Sequence, residues 1–251
     1  MTEKNIHFIT YGDDKYKLSK QNLLNEAKDF YNFKTITGYG PEDLDKKFIN
    51  YFKNILNQPR GGGYWIWKSY LLYKKLTEIK ENEYLVYLDA GCKLNKKGLN
   101  RFNEYIDLID KSNYGIMSIQ MSGNKGYGGL HKDKEWTTKQ IFDYFSIDIN
   151  SEFASTGQYV GGILVIKKNG HSKMILDKYI KALYDKPLMF TDYYNKNQCK
   201  EFIDNRHDQS VFSLLRKKYG SVVINGDESW VQPFGGEKSL KFPFWATRIK
   251  H

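Results

Sequence analysis

Two hydrophobic periods alternate along this chain, and one apolar run organises the rest. Tyr84-Leu85-Val86-Tyr87-Leu88 carries five β-prone residues without a polar break, followed at once by Asp89-Ala90-Gly91-Cys92. An unbroken run of this length predicts a strand buried on both faces, at the centre of a parallel sheet. Asp89 then stands at the strand's carboxyl end, where open α/β sheets bind their ligands. Gly91 permits a sharp turn and a close approach. The plainer alternative is that Asp89 only opens a turn.

Upstream, Ile6 to Thr10 reads as a first strand ending in Tyr11-Gly12-Asp13-Asp14. Helical spacing over residues 17–30 (Leu23, Leu24, Ala27) and a second strand from Phe33 to Thr37 complete a βαβ unit. The Tyr11-Gly12 turn either touches a nucleotide base or is a plain turn. Pro41 starts a helix to about Leu56, with Leu44, Phe48, Phe52 and Ile55 on its apolar stripe. Gln58-Pro59-Arg60-Gly61-Gly62-Gly63 breaks it, and glycines in a row mark a flexible or closely approached loop. No strand precedes them and no Gly-Lys-Ser/Thr follows, so this is not a P-loop. The next helix, Tyr64 to about Ile79, places Lys68 on the same face as Trp65, Leu72, Leu76 and Ile79. A lysine in an apolar stripe either snorkels to water or finds a buried anion.

Downstream, residues 97–112 predict a helix and Gly115 to Gln120 a strand. The glycine- and lysine-rich segment 121–134 reads as a mobile lid. A short amphipathic piece follows from Glu135 through Phe145. Gly157 to Ile166 is a second buried strand entered through paired glycines, and residues from Ser172 to Tyr184 form a helix. Asp208 is a credible N-cap for a helix carrying Val211, Phe212, Leu214 and Leu215. Val222 to Ile224 make a last short strand. An aromatic-anchored tail through Arg248, Lys250 and His251 folds back over the domain, the alternative being that it frays.

Composition narrows the class. A chain of 251 residues suits one α/β domain over residues 1–251 and needs no metal or disulfide staple to fold. Two cysteines, no long apolar run and no leader pattern at the start suggest a cytoplasmic protein, at most peripheral to a membrane. The net charge of +10 comes mainly from scattered lysines, since only five of the 39 basic residues are arginine. Scattered lysine argues for a solvated surface rather than a polymeric nucleic-acid partner. It also attracts an anionic substrate such as a nucleoside diphosphate.

The ordered motifs Gly62-Gly63-Tyr64-Trp65-Ile66-Trp67-Lys68, Tyr87-Leu88-Asp89-Ala90-Gly91-Cys92, Glu135-Trp136-Thr137, Gly157-Gln158 and His207-Asp208-Gln209-Ser210 resemble those of GT-A-fold nucleotide-sugar glycosyltransferases, small viral and bacterial members in particular. The resemblance implies a GT-A-like mixed, mostly parallel sheet flanked by helices, with a Rossmann-like nucleotide-binding half. It implies transfer of a sugar from a UDP- or GDP-sugar to a hydroxyl of a glycan or other acceptor. Thr10, Tyr11, Gly12, Lys68, Asp89, Gly91, Gln158 and Arg248 would line the donor site, and Asp208 or Glu135 would act as base. Asp89 matches the first position of the family's Asp-x-Asp metal motif, but Gly91 replaces the second Asp. A Mn²⁺ or Mg²⁺ ion would then need Asp89 with Asp208, His207 or His251 and donor phosphates, because one carboxylate holds such ions poorly. Alternatively Lys68, Arg248 and Lys250 neutralise the diphosphate without metal. Inverting and retaining outcomes both stay open. A catalytically inactive sugar-binding or structural relative is the competing reading, ahead of a nucleic-acid-binding module.

Overall fold

The computed structural model describes residues 4–123 and 128–250. Its centre is a four-stranded sheet in the order β2-β1-β3-β6, formed by β1 (Ile6–Tyr11), β2 (Thr35–Tyr39), β3 (Tyr84–Leu88) and β6 (Ile163–Lys167). β1 runs parallel to both β2 and β3, whereas β6 is antiparallel to β3. The sheet is therefore mixed and mostly parallel. The run at 84–88 lies inside it, with all five residues buried.

Side-chain alternation splits the core into two layers. Ile9, Tyr11, Leu85, Tyr87, Leu164 and Ile166 face α2 (Ile66–Glu78), α4 (Gly170–Asp185) and α5 (Asp208–Tyr219). Ile6, Phe8, Tyr84, Val86, Leu88 and Val165 face α1 (Lys17–Phe30) and α3 (Leu99–Asp110). The result is a helix–sheet–helix sandwich. β5 (Met117–Gln120) pairs in parallel with β7 (Val222–Asn225), and single bridges such as Ile116 to Ile166 join this pair to the main sheet. β4 (Lys93–Leu94) pairs with β8 (Phe244–Trp245), so the tail folds back beside the end of β3. No helix among the described residues is long and apolar enough to cross a membrane.

Several elements differ from expectation. The helix expected from Pro41 to Leu56 is three short pieces, Pro41–Asp43, Lys46–Tyr51 and Lys53–Leu56. Leu44, Phe48 and Phe52 are still buried, so the apolar stripe is satisfied without a continuous axis. The strand expected from Gly157 begins only at Ile163, because Tyr159 and Val160 bond toward β5 while Gly161 and Gly162 turn the chain. Of the expected lid, residues 124–127 lie outside the described residues. The flanking chain is tied down by bridges Ser122–Leu130 and Lys132–Gly157.

Candidate active site

The entry to α2 decides where Lys68 goes. Gly61, Gly62, Gly63, Tyr64 and Trp65 all have positive φ, between 56° and 92° for the glycines and at 55° and 58° for the aromatics. Glycine adopts this conformation freely, whereas Tyr64 and Trp65 must be held in it. Neighbouring rings supply the hold. Trp67 stacks on Tyr11 at 3.7 Å and donates from Nε1 to Gly61 O at 3.0 Å. Tyr64 stacks on His207 at 5.2 Å.

This turn sends Lys68 inward, and its side chain is only 3% exposed. The ammonium lies 2.7 Å from Asp208 Oδ2 and 3.2 Å from Asp89 Oδ1, and donates to Gly161 O at 3.3 Å. Three acceptors match its three N–H donors. Lys68 therefore does not snorkel, and its anions are the protein's own carboxylates. Burial alone would pull the ammonium's pKa down, but Asp208 and then Asp89 more than reverse this, leaving it raised. Burial raises the Asp208 carboxyl against the opposing pull of Lys68. Asp89 differs in exposure: its side chain is 39% exposed, against 7% for Asp208, so Asp89 is the carboxylate of the pair that is open to solvent. Tyr87 OH donates to Asp89 Oδ1.

Gly161 and Gly162 join these groups. Gly162 O accepts the Asp89 N–H at 2.9 Å, and a Cβ on Gly162 would lie 2.5 Å from Asp89 Oδ2. The Gly161 N–H donates to Gln209 Oε1 at 3.0 Å. Gln209 in turn donates to Gln158 Oε1, and Gln158 Nε2 donates to Thr137 Oγ1 at 3.1 Å. Gln158 is fully buried, a strut beneath the site rather than a wall of the cleft.

Asp208 is the first residue of α5 and not its cap. The N-cap is His207, at φ 54°, and its side chain makes no capping bond. The Asp208 carboxylate turns to Lys68 instead of the helix amides. His207 Nε2 bonds Asp192 Oδ1 at 2.8 Å, and Arg60 grips Asp192 and Asp204. That nitrogen is thus engaged away from Asp89. Among the described residues no group of three or more His, Cys, Asp or Glu side chains is arranged to hold a metal ion. His251 lies outside the described residues. A preformed ion cage does not fit what the described residues offer; Asp89 is the solvent-open carboxylate of the pair.

The approach allowed by Gly91 is made by the protein's own tail. Ile249 N–H and Thr247 Oγ1 donate to Gly91 O at 3.1 and 2.7 Å, and a Cβ on Gly91 would lie 3.1 Å from Ile249 O. Arg248 is thereby brought beside the Asp89 turn, exposed and stacked 4.6 Å from the Trp230 ring. Arg206, missed as a site residue by sequence reasoning, stacks 4.0 Å from the Trp136 ring. Burial and then the charge of Arg248 push Arg206 down to about 10, so the two guanidiniums sense one another. Neither forms an ion pair with a carboxylate among the described residues. The stacking partner Trp136 lies 70 positions earlier in the sequence, so no local pattern points to the pair.

Other expected residues have local duties. Glu135 Oε2 accepts the Lys132 N–H at 3.1 Å, and Glu135 O accepts from Ile203 N–H at 2.7 Å, which occupies this residue with its own short helix. Gly12 N–H donates to Tyr39 O at 3.1 Å, and Lys20 Nζ donates to Gly12 O and Tyr39 O, each at 2.9 Å. Thr10 Oγ1 is buried and without a hydrogen-bond partner among the described residues. Tyr11 is covered by Trp67, so its ring face is not free for a base.

No family model and no curated protein matches this sequence. Solved structures do. One is a glycosyltransferase involved in glycosylation of the major capsid of PBCV-1, at TM-score 0.52 and 10% identity, covering 96% of this chain and 91% of that one. Another is the WbbM bifunctional glycosyltransferase, at TM-score 0.53 and 12% identity, covering 98% of this chain and 46% of that one, so this chain spans about half its length. At such identity the likeness concerns architecture. The chain has a GT-A-like glycosyltransferase fold.

Proposed function

We propose that this chain is a glycosyltransferase that moves a sugar from a nucleoside-diphosphate sugar to an acceptor hydroxyl. The observation that carries the proposal is the buried Lys68 joining Asp89, at the end of β3, to Asp208, at the start of α5. Burying an ammonium with two carboxylates is costly, and such an arrangement is a poor device for stability alone. It positions two acids at the carboxyl edge of a sheet, where ligands bind in this kind of fold.

In this reading the acceptor oxygen attacks the anomeric carbon while the bond from that carbon to the diphosphate oxygen breaks. The bonding pair leaves with the diphosphate, and the hydroxyl proton passes to Asp208, whose raised pKa makes it a better base than an exposed carboxylate. Charge grows on the leaving phosphate. Arg248 and Arg206, which lack carboxylate partners among the described residues, are the cations left to meet it, whereas Lys68 is already committed. Asp89 contacts the donor from the exposed side of the cleft. A divalent ion would arrive with the donor's phosphates, Asp89 being the residue that would meet it, and the displacement does not depend on it.

The test is a panel of UDP- and GDP-sugars assayed for nucleoside diphosphate release with and without Mn²⁺, for wild type and Asp208→Asn. The expected result is release with at least one donor, and a loss of turnover of about 100-fold in the variant with donor affinity nearly kept. Binding of donors without any release would favour an inactive sugar-binding relative. Wild-type turnover in Asp208→Asn would remove Asp208 from the reaction.

A further inference from the structure

One concavity shares no lining residue with the Lys68, Asp89 and Asp208 cluster. It measures about 610 Å³ and is lined by Tyr144, Tyr193, Tyr194, Leu188, Met189 and Pro187, with Gln140, Asp143, Asp185 and Lys186 also in its wall. The size is that of an ordinary small-ligand pocket. Two of its apolar members stand open to solvent, Tyr193 at 62% and Leu188 at 56%. Tyr144 OH donates to Asp185 Oδ2 at 2.8 Å and Tyr194 OH donates to Asp204 Oδ1 at 3.1 Å, which fixes those two tyrosines at their tips. Asp143 and Asp185 are already balanced by Lys139 and Lys181, each at 2.6 Å. The groove thus offers aromatic and aliphatic faces edged by carboxylate, amide and phenol groups, and Lys186, the one charge outside these pairs, stands exposed to solvent.

We infer that this groove binds a neutral oligosaccharide, as a remote subsite for the acceptor. A sugar ring has an apolar C–H face and a rim of hydroxyls, the complement of a tyrosine face bordered by Asp and Gln. A cationic ligand would meet carboxylates already paired with lysine, and a purely apolar one would leave the polar rim uncompensated, whereas the solvated Lys186 can donate to a sugar hydroxyl. The wall of the groove is also wired to the candidate site. Asn205 Nδ2 donates to Met189 O at 3.1 Å and to Thr191 O at 3.0 Å, and Asp192 bonds His207, the residue before Asp208. An acceptor chain held here is registered against the segment that carries the candidate base. The assignment of the bound chain as acceptor rests on the proposed transferase reading; the binding itself does not.

The experiment separates the two. A printed array of neutral tri- to pentasaccharides is probed with wild type and with Tyr193→Ala, whose exposed ring can be removed without opening the core, and folding is checked by thermal unfolding. The strongest binder is then titrated by saturation-transfer NMR. The expected result is at least one oligosaccharide bound by wild type and held about tenfold more weakly by Tyr193→Ala. With an active donor, KM for that oligosaccharide rises about tenfold at unchanged kcat, while KM for its terminal monosaccharide is unmoved. No array binding, equal binding by both proteins, or capture of peptides in place of glycans would overturn the inference. Binding that depends on Tyr193 in a protein without transfer activity would keep the groove and refute the transferase reading.

Discussion

The two ends of β3 carry similar side chains in opposite conditions. Glu83, just before the strand, is saturated: its carboxylate meets Lys34, shares a hydrogen bond with His7 Nε2 at 3.0 Å, and accepts the Lys80 N–H at 2.8 Å. Burial would raise its pKa, but Lys34, the Lys80 amide and His7 outweigh this and hold it at about 2. At the other end, Asp89 and Asp208 share one ammonium, and Asp89 stays open to solvent. One carboxylate has a cation of its own among three donors, whereas two carboxylates divide one cation. Saturation makes the lower cluster a fastening; scarcity leaves the upper one free to act on something that enters. Charge balance, more than the mere presence of acids, separates a brace from a candidate site.

The contrast can be broken most forcefully at Lys68. Lys68→Met leaves two buried or half-buried carboxylates without their cation, so unfolding in urea should show a loss of about 3–5 kcal/mol. Because the pairing is internal, this cost falls on the unliganded fold. A variant as stable as wild type would mean that the ammonium is not buried between the acids.

Glu83→Gln tests the brace with a smaller expected effect. Loss of its charge-assisted bonds should cost about 1.5–3 kcal/mol at pH 7 and leave turnover unchanged. Because the Glu83 pKa is depressed, from 4.5 to about 2, its contribution is fully present above pH 4.5 and disappears as pH falls toward 2. Urea titrations at pH 7, 5 and 3 should show the gap between wild type and variant constant over the first two and narrower at the third. A gap that widens on acidification would refute the assignment.

The smallest effect belongs to the paired guanidiniums. Arg206→Gln and Arg248→Gln should each weaken binding of a nucleoside diphosphate about tenfold, some 1.4 kcal/mol, without altering the fold. Calorimetric titration giving unchanged affinity in both would separate these arginines from the diphosphate.

Much of this architecture was legible from local pattern. The five-residue run marked a strand buried on both faces, a periodic, short-range signal; the lysine on the Trp65–Leu72 face left snorkelling and a buried anion both open, and the structure takes the second. Its partner Asp208 was nameable as a site residue, but the contact itself joins segments 140 positions apart, and no local period encodes it. Left-handed Tyr64 and Trp65 were hidden because aromatics rarely adopt that conformation without tertiary support. Gly91 signalled a close approach without saying by what, and the visitor is the backbone at Arg248 and Ile249. Gln158 was expected at the donor site from the resemblance of Gly157-Gln158, which does not say which way the side chain faces; it is fully buried.

The Gly161–Gly162 step has a consequence for how such a protein can diverge. A single added carbon at Gly161 would come within 2.8 Å of Gln209 Cβ, and one at Gly162 within 2.5 Å of Asp89 Oδ2. The same two residues touch Lys68, Asp89 and α5 through their backbones. Drift at this step therefore disturbs three segments at once, and close-packed interiors absorb such changes poorly. New specificities are cheaper to reach through surface residues such as Tyr193 and Leu188, where a side chain can be exchanged without moving Lys68, Asp89 or Asp208. Two glycines act as the fixed bearing, and variation in what is recognised turns around them.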